Sequence, residues 1–185
     1  MTHNRFNRAH LVQRAAQGER LKFVFFWGHT ERSAHDVTKA CFSQWRPSPF
    51  TVDGATYATA EHWMMAEKAR LMGDDAIRSR ILDAKHPADA KKLGRQVQPF
   101  DNDLWQKHCL DVVIEGNIHK FGADDAMREV LLATGDRVLV EASPKDRIWG
   151  IGLAADHDDA KHPQAWRGEN LLGEALMHVR ERLRG

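Results

Sequence analysis

Three segments combine ionisable, aromatic and glycine residues at a spacing that packing alone does not require. The first runs Gly54-Ala55-Thr56-Tyr57-Ala58-Thr59-Ala60-Glu61-His62-Trp63. Thr59 offers a hydroxyl cap, and Glu61 falls in the first turn of the helix that follows, where the dipole favours a negative charge. A first-turn Glu that only stabilises its own helix reads the same way. The second segment is Glu141-Ala142-Ser143-Pro144-Lys145-Asp146-Arg147-Ile148-Trp149-Gly150-Ile151-Gly152. Here a strand ends in a loop that carries an acid, a Trp and two glycines, and glycine lets backbone approach a ligand closely. The third is Trp166-Arg167-Gly168-Glu169-Asn170-Leu171-Leu172-Gly173, a turn feeding a helix start. A helix start suits phosphate, and simple capping by Asn170 is the plainer reading.

Other chemistries leave no trace. GxxxxGK[ST], GxGxxG after a strand, GxSxG and HExxH are all missing. Asp156-His157-Asp158-Asp159 with His162 contains metal-ligand residue types but no defined geometry, so no metal is assigned. His108 and Cys109 are adjacent on a helix and face different ways, which argues against a Cys–His pair.

The 185 residues suffice for one compact domain and are short for two. Lys and Arg number 27 against 26 Asp and Glu, so the chain lacks the basic excess of a general nucleic-acid binder. Two cysteines, Cys41 and Cys109, form no CxxC pair and read as reduced thiols of a cytoplasmic protein. The polar, Arg-bearing start has no apolar stretch of signal-peptide type, and no run is long enough to span a membrane. Oligomeric state has no signal in the sequence. Six of the aromatics are Trp, at 27, 45, 63, 105, 149 and 166, which serve equally as core anchors or as flat platforms for a base.

The elements that must position these residues follow from periodicity. Residues 1–20 read as a loose arm or short helix and 21–185 as the domain. Residues 21–27 read as a buried strand, and 50–57 as a hairpin turned at Asp53-Gly54. Helices are expected over 60–72, 74–84 and from Pro87 to before Pro99. A long helix capped by Asp101 or Asp103 carries a stripe of Leu110, Val113, Ile114, Asn117 and Phe121, and Gly122 stops it. A fifth helix runs from Asp124 to Thr134-Gly135. Residues 137–142 read as a strand, and Asn170 caps a last helix with Leu172, Leu176, Val179 and Leu183 on one face. The fold class is α+β, predominantly helical, with a few short strands and no regular βαβ order.

Taken in order, these segments resemble the NADAR (YbiA-like) family. The matching blocks are Phe42-Ser43-Gln44-Trp45, Gly54…Tyr57…Glu61-His62, Lys120-Phe121, Glu141-Ala142-Ser143…Asp146…Trp149-Gly150-Ile151-Gly152, and Trp166…Gly168…Asn170-Leu171-Leu172-Gly173. They span about residues 25–183. The family pattern has Asn-Phe where Gln44-Trp45 stands, and a long insert lies between Trp27 and Cys41. Both departures bear on which base is accepted.

The resemblance implies a single compact domain that hydrolyses a ribosyl C1–N bond without metal or cofactor. Two substrate classes come with it: early riboflavin-pathway ribosylamino-pyrimidine phosphates, and ADP-ribosylated guanine in nucleic acid. Such a bond breaks through an oxocarbenium-like transition state that a carboxylate stabilises. Glu61 is thereby expected as general base or charge stabiliser, and Asp146 as a ligand of ribose hydroxyls or a proton-transfer partner. Trp149, with Gly150 beside it, and Trp105 are candidates to flank base or sugar. Lys68 and Lys120 are candidates for phosphate or the leaving group, although both could sit on solvated faces, and Ser43 and Asn170 complete the expected binding set. The alternative is a non-catalytic module that recognises ADP-ribose.

Overall fold

The computed structural model describes residues 5–30 and 37–185. Part of the insert after Trp27, residues 31–36, lies outside them. In chain order the elements are α1 (Arg8–Ala16), β1 (Phe23–Phe26), β2 (Phe50–Val52), β3 (Ala55–Tyr57), α2 (Ala60–Met72), α3 (Asp75–Leu82), α4 (Pro87–Gly94), α5 (Asn102–Gly122), α6 (Asp125–Leu132), β4 (Val138–Glu141) and α7 (Leu171–Leu183). Single turns of 3-10 helix occur at Lys39–Phe42, Asp158–Lys161 and Pro163–Ala165. The predicted class is the observed one: predominantly helical, with four short strands among the described residues. Contacts divide the chain into two units, Gln44–Asp125 on one side and Met1–Ser43 with Ala126–Gly185 on the other.

The unit Gln44–Asp125 is built around α2. Thr59 Oγ1 accepts from the His62 amide, and Gly73 ends the helix in the left-handed conformation at φ 74°. Ten of its thirteen residues are buried, because α3, α4 and α5 all pack on it. Close approach is bought with glycine: a Cβ on Gly94 would overlap Met65, and one on Gly116 would overlap the edge of the Trp63 ring. The β2–β3 hairpin turns at Asp53 (φ 49°) and Gly54 (φ 79°), the two positive-φ positions of a type I′ turn. Phe50 and Tyr57 pair across it and meet Trp63 at 6.1 and 5.0 Å between ring centres. The buried set on α5 is wider than the predicted stripe. Cys109, Val112, Gly116 and Lys120 join it, while Leu110 is half-buried. The helix has neighbours on more than one side, since α2 and β2 both pack on it. Gly122 is its last residue rather than the stop after it.

In the other unit, β1 and β4 form a parallel pair with Phe23 opposite Val138 and Phe26 opposite Glu141. The predicted strand over 21–27 shortens to four residues. Val24 and Phe26 are buried, Phe23 and Phe25 are half-buried, and Trp27 is 66% exposed. α7 packs on β4, and Gly173 permits it, since a Cβ there would overlap the Leu139 carbonyl. α1 is seated by Leu11, which is fully buried. Arg180, buried on α7, donates to Thr134 Oγ1 and the Arg137 carbonyl at 2.8 Å each, and so pins the turn between α6 and β4.

Candidate active site

The carboxylate of Glu61 stands in the first turn of α2 and is 2% exposed. Its backbone is fixed from outside the helix, because the Glu61 amide donates to the Gln44 carbonyl at 3.0 Å. The same Gln44 accepts at Oε1 from Asn117 Nδ2 on α5 (2.9 Å), and Asn117 Nδ2 also donates to the Val113 carbonyl. One turn further along α5 is Lys120, fully buried, with Nζ 5.2 Å from the Phe121 ring centre. Lys120 therefore does not lie on a solvated face. Gln44, Glu61, Asn117 and Lys120 form a set of buried polar side chains in one unit. Buried charge at this density is retained in folded proteins only with polar partners.

His62, beside Glu61, serves the scaffold. Its Nδ1 lies 2.8 Å from Thr59 Oγ1 and its Nε2 3.0 Å from the Ala84 carbonyl. A carbonyl can only accept, so Nε2 carries the proton and the Thr59 hydroxyl donates to Nδ1. Burial lowers the His62 pKa, partly offset by the Ala84 carbonyl and by Asp89, which suits this neutral form. The start of α2 is thus tied down at Thr59, Glu61 and His62.

Lys68 and Trp105 are also brought together. Lys68 Nζ donates to the Gly94 carbonyl at 2.8 Å, and lies 4.3 Å from the Phe100 ring centre and 5.8 Å from that of Trp105. Burial, and then the charge of Arg95, pull its pKa down. Its ammonium is half-buried, already spent on one carbonyl and faced by two rings.

The loop after β4 holds the second carboxylate. Asp146 Oδ1 accepts from the amides of Ile148 (2.9 Å) and Trp149 (2.8 Å), which closes a tight turn and leaves Oδ2 as the oxygen able to meet a ligand. Trp149 is half-buried and Gly150 is buried. A Cβ on Gly150 would crowd the Glu141 carbonyl, Ser143 and the Asp146 carbonyl, so this glycine answers to a backbone-to-backbone approach within the loop. The third segment is stitched to the second. The amides of Arg167, Glu169 and Asn170 donate to the carbonyls of Ile151, Arg147 and Gly150. Ser43 is half-buried, at the end of the turn Lys39–Phe42.

Two expectations for the third segment are corrected. Asn170 occupies the cap position of α7, but its side chain makes no capping bond. It sits at φ 62°, accepts from the Glu141 amide at 3.0 Å, and donates to the Leu139 carbonyl at 2.9 Å. The first amides of α7 are not offered to an anion either. Leu171 donates to the Ile148 carbonyl and Leu172 to that of Trp149. The loop carbonyls cap the helix, which frees Asn170 to hold β4.

Among the described residues, no three His, Cys, Asp or Glu side chains converge as a metal site, and no helix is long and apolar enough to cross a membrane. Reading by residue type placed Gln44 only as a departure and Asn117 only in a core stripe. The signal was there: an Asn in the middle of an otherwise apolar helix face needs a polar partner.

The NADAR domain model matches residues 25–184, running through both units. The chain belongs to the NADAR domain family. It is 42% identical over 165 residues to an N-glycosidase of Acanthamoeba polyphaga mimivirus, covering 86% of this chain and 95% of that protein. It is 32% identical over 142 residues to the N-glycosidase YbiA of Escherichia coli, covering 77% of this chain and 80% of YbiA. The NMR structure of YbiA superposes with a TM-score of 0.70 at 27% identity, over 90% of this chain and 87% of that one. A riboflavin biosynthesis protein of Vibrio vulnificus is 31% identical over 148 residues, which is 80% of this chain but 36% of that longer protein.

Proposed function

We propose that this N-glycosidase hydrolyses the bond between C1 of a ribosyl group and a nitrogen, with Glu61 as the general base. The observation that carries the reading is the carboxylate itself: ionisable, 2% exposed, and held by a tethered helix start in a block shared with the family. Positive charge grows on C1 and the ring oxygen as the C1–N bond lengthens, and a carboxylate in a low-dielectric site stabilises it more than water can. Water adds its oxygen to C1 and gives a proton to Glu61, and the nitrogen leaves with the bonding pair and takes up that proton from Glu61, which restores the carboxylate. Lys120, buried in the same unit as Glu61, contributes positive charge toward a phosphate or the departing nitrogen.

The substrate class favoured is a small phosphorylated ribosylamine such as the ribosylamino-pyrimidines of riboflavin synthesis. Near-neutral net charge and the likeness to the Vibrio riboflavin biosynthesis protein support it. ADP-ribosylated guanine in nucleic acid is the second reading, supported by the exposed Trp27, a platform suited to a base. A cytoplasmic setting goes with either, as both cysteines are buried and form no disulfide.

The test is hydrolysis of both substrates side by side by the wild-type chain and by Glu61→Gln. Wild type is expected to release the free sugar phosphate or ADP-ribose, and Glu61→Gln to lose roughly 10²–10⁴ in rate. Equal rates for the two chains would remove Glu61 from the mechanism. No release from either substrate, with ADP-ribose bound, would leave a recognition module.

A further inference from the structure

Two buried amides, Gln44 and Asn117, carry more polar atoms than the fold pairs. Asn117 Nδ2 donates to the Val113 carbonyl at 2.8 Å and to Gln44 Oε1 at 2.9 Å. A backbone carbonyl only accepts, so Val113 fixes which end of the Asn117 amide is the amino group. That group in turn fixes the Gln44 atom facing it as the oxygen. The opposite ends, Gln44 Nε2 and Asn117 Oδ1, are buried without a hydrogen-bond partner among the described residues. An unpaired buried donor and an unpaired buried acceptor both weigh against the folded state, whereas two apolar side chains of similar shape would be close to neutral there. Packing alone therefore does not account for the pair. Its other connection runs to Glu61. Gln44 lies in the irregular segment before β2, outside any helix or strand, and its carbonyl accepts the Glu61 amide. Its side chain bonds that segment to α5. The family pattern has Asn at this position, one methylene shorter, and from the same backbone the bond to Asn117 would open.

We infer that Gln44 and Asn117 are positioning residues for Glu61: the bonded amide pair anchors the backbone from which that carboxylate projects to the long helix α5, and does so against the stability of the fold. The inference rests on the reading of Glu61 as the general base. Three hydrogen bonds make the link, from the Val113 carbonyl to Asn117, from Asn117 to Gln44, and from the Glu61 amide to the Gln44 carbonyl. A catalytic group displaced by about 1 Å loses on the order of 10² in rate. The pair acts through Glu61, so its removal lowers kcat and leaves KM in place.

The test is the double variant Gln44→Met with Asn117→Leu, which roughly keeps the side-chain volumes and removes all four amide atoms. Three measurements compare it with wild type: thermal denaturation, hydrogen exchange at the Glu61 amide, and hydrolysis of the two ribosyl substrates. Its Tm is expected to equal or exceed that of wild type. The Glu61 amide should exchange roughly tenfold faster, while the amides of Ala66 and Ala69 in the same helix keep their rates. kcat should fall roughly ten- to a hundredfold, with KM within about twofold. Gln44→Asn, a milder change that only shortens the reach, should move Glu61 exchange and kcat in the same directions. A pair that serves the fold alone gives another pattern: Tm falls, all the α2 amides exchange faster together, and kcat follows the folded fraction. That pattern overturns the inference, as does unchanged Glu61 exchange in both variants. If wild type is active and both variants keep its kcat, the positioning role fails and the N-glycosidase stands. If wild type cleaves neither substrate, the functional reading fails by itself, and Tm with Glu61 exchange still decides whether the pair holds this residue.

Discussion

Asn170 offers a decisive experiment, because the family pattern makes it a candidate binder while the geometry gives both ends of its amide to the backbone of β4. Asn170→Ala removes the acceptor of the Glu141 amide and the donor to the Leu139 carbonyl in a position 1% exposed. Each orphaned buried group costs about 1–3 kcal/mol. Ala at φ 62° adds about 1 kcal/mol of left-handed strain that Asn tolerates better. The expected loss is about 3–7 kcal/mol, some 6–28 °C in Tm for a chain of this size. Asn170→Gly loses the same two bonds without the strain, so it should be more stable than the Ala variant by about 1 kcal/mol. Urea denaturation followed by far-UV circular dichroism measures all three chains, and hydrolysis at a temperature where each is folded gives KM. An Asn170→Ala chain within 0.5 kcal/mol of wild type but with a raised KM would refute the structural role and return Asn170 to the substrate.

Three more outcomes are expected. Gly116→Ala gains about 1 kcal/mol of helix propensity but drives a methyl into Trp63, whose Nε1 donates to the Val112 carbonyl at 2.8 Å. Overpacking and the disturbed bond should win by about 1–3 kcal/mol, and Trp63→Phe in the same chain should recover part of the loss in a double-mutant cycle. Gly168→Ala places its Cβ against the Gly150 carbonyl and the Arg147 backbone, so it should part the two stitched loops and lower activity while far-UV circular dichroism stays unchanged. Glu174 is 3% exposed, and burial, then the charge of Glu169, raises its pKa to about 7. Below about pH 4.5 folded and unfolded chains both hold that proton; between there and pH 7 only the folded chain does, so stability falls as pH rises, by up to about 3 kcal/mol. Glu174→Gln should lack this fall, and denaturation profiles of the two chains that stay parallel from pH 4 to 8 would contradict it.

What was legible in the sequence was local. Thr59, Asp101, Asp53-Gly54, Pro87 and Gly73 each act within four residues of themselves, so the bounds of α2, the hairpin turn and the starts of α4 and α5 could be read from residue types alone. The blocks around Glu61 and Asp146 stood out for the same reason, being contiguous in the chain. What tertiary structure decided was every assignment that depends on a distant partner. Strand β1 shortened because its mate, β4, lies more than a hundred residues away and pairs with only four of its residues. Asn170 has the residue type and position of a cap, and lost that role because the carbonyls of Ile148 and Trp149 reached the helix amides first. Lys120 was indistinguishable from a surface lysine until α5 was found buried on that side. Gln44 became a structural hub through bonds to Glu61 and to Asn117, 73 residues further on. Periodicity and capping reach one helical turn, whereas burial and hydrogen-bond partnership are set by which surfaces meet.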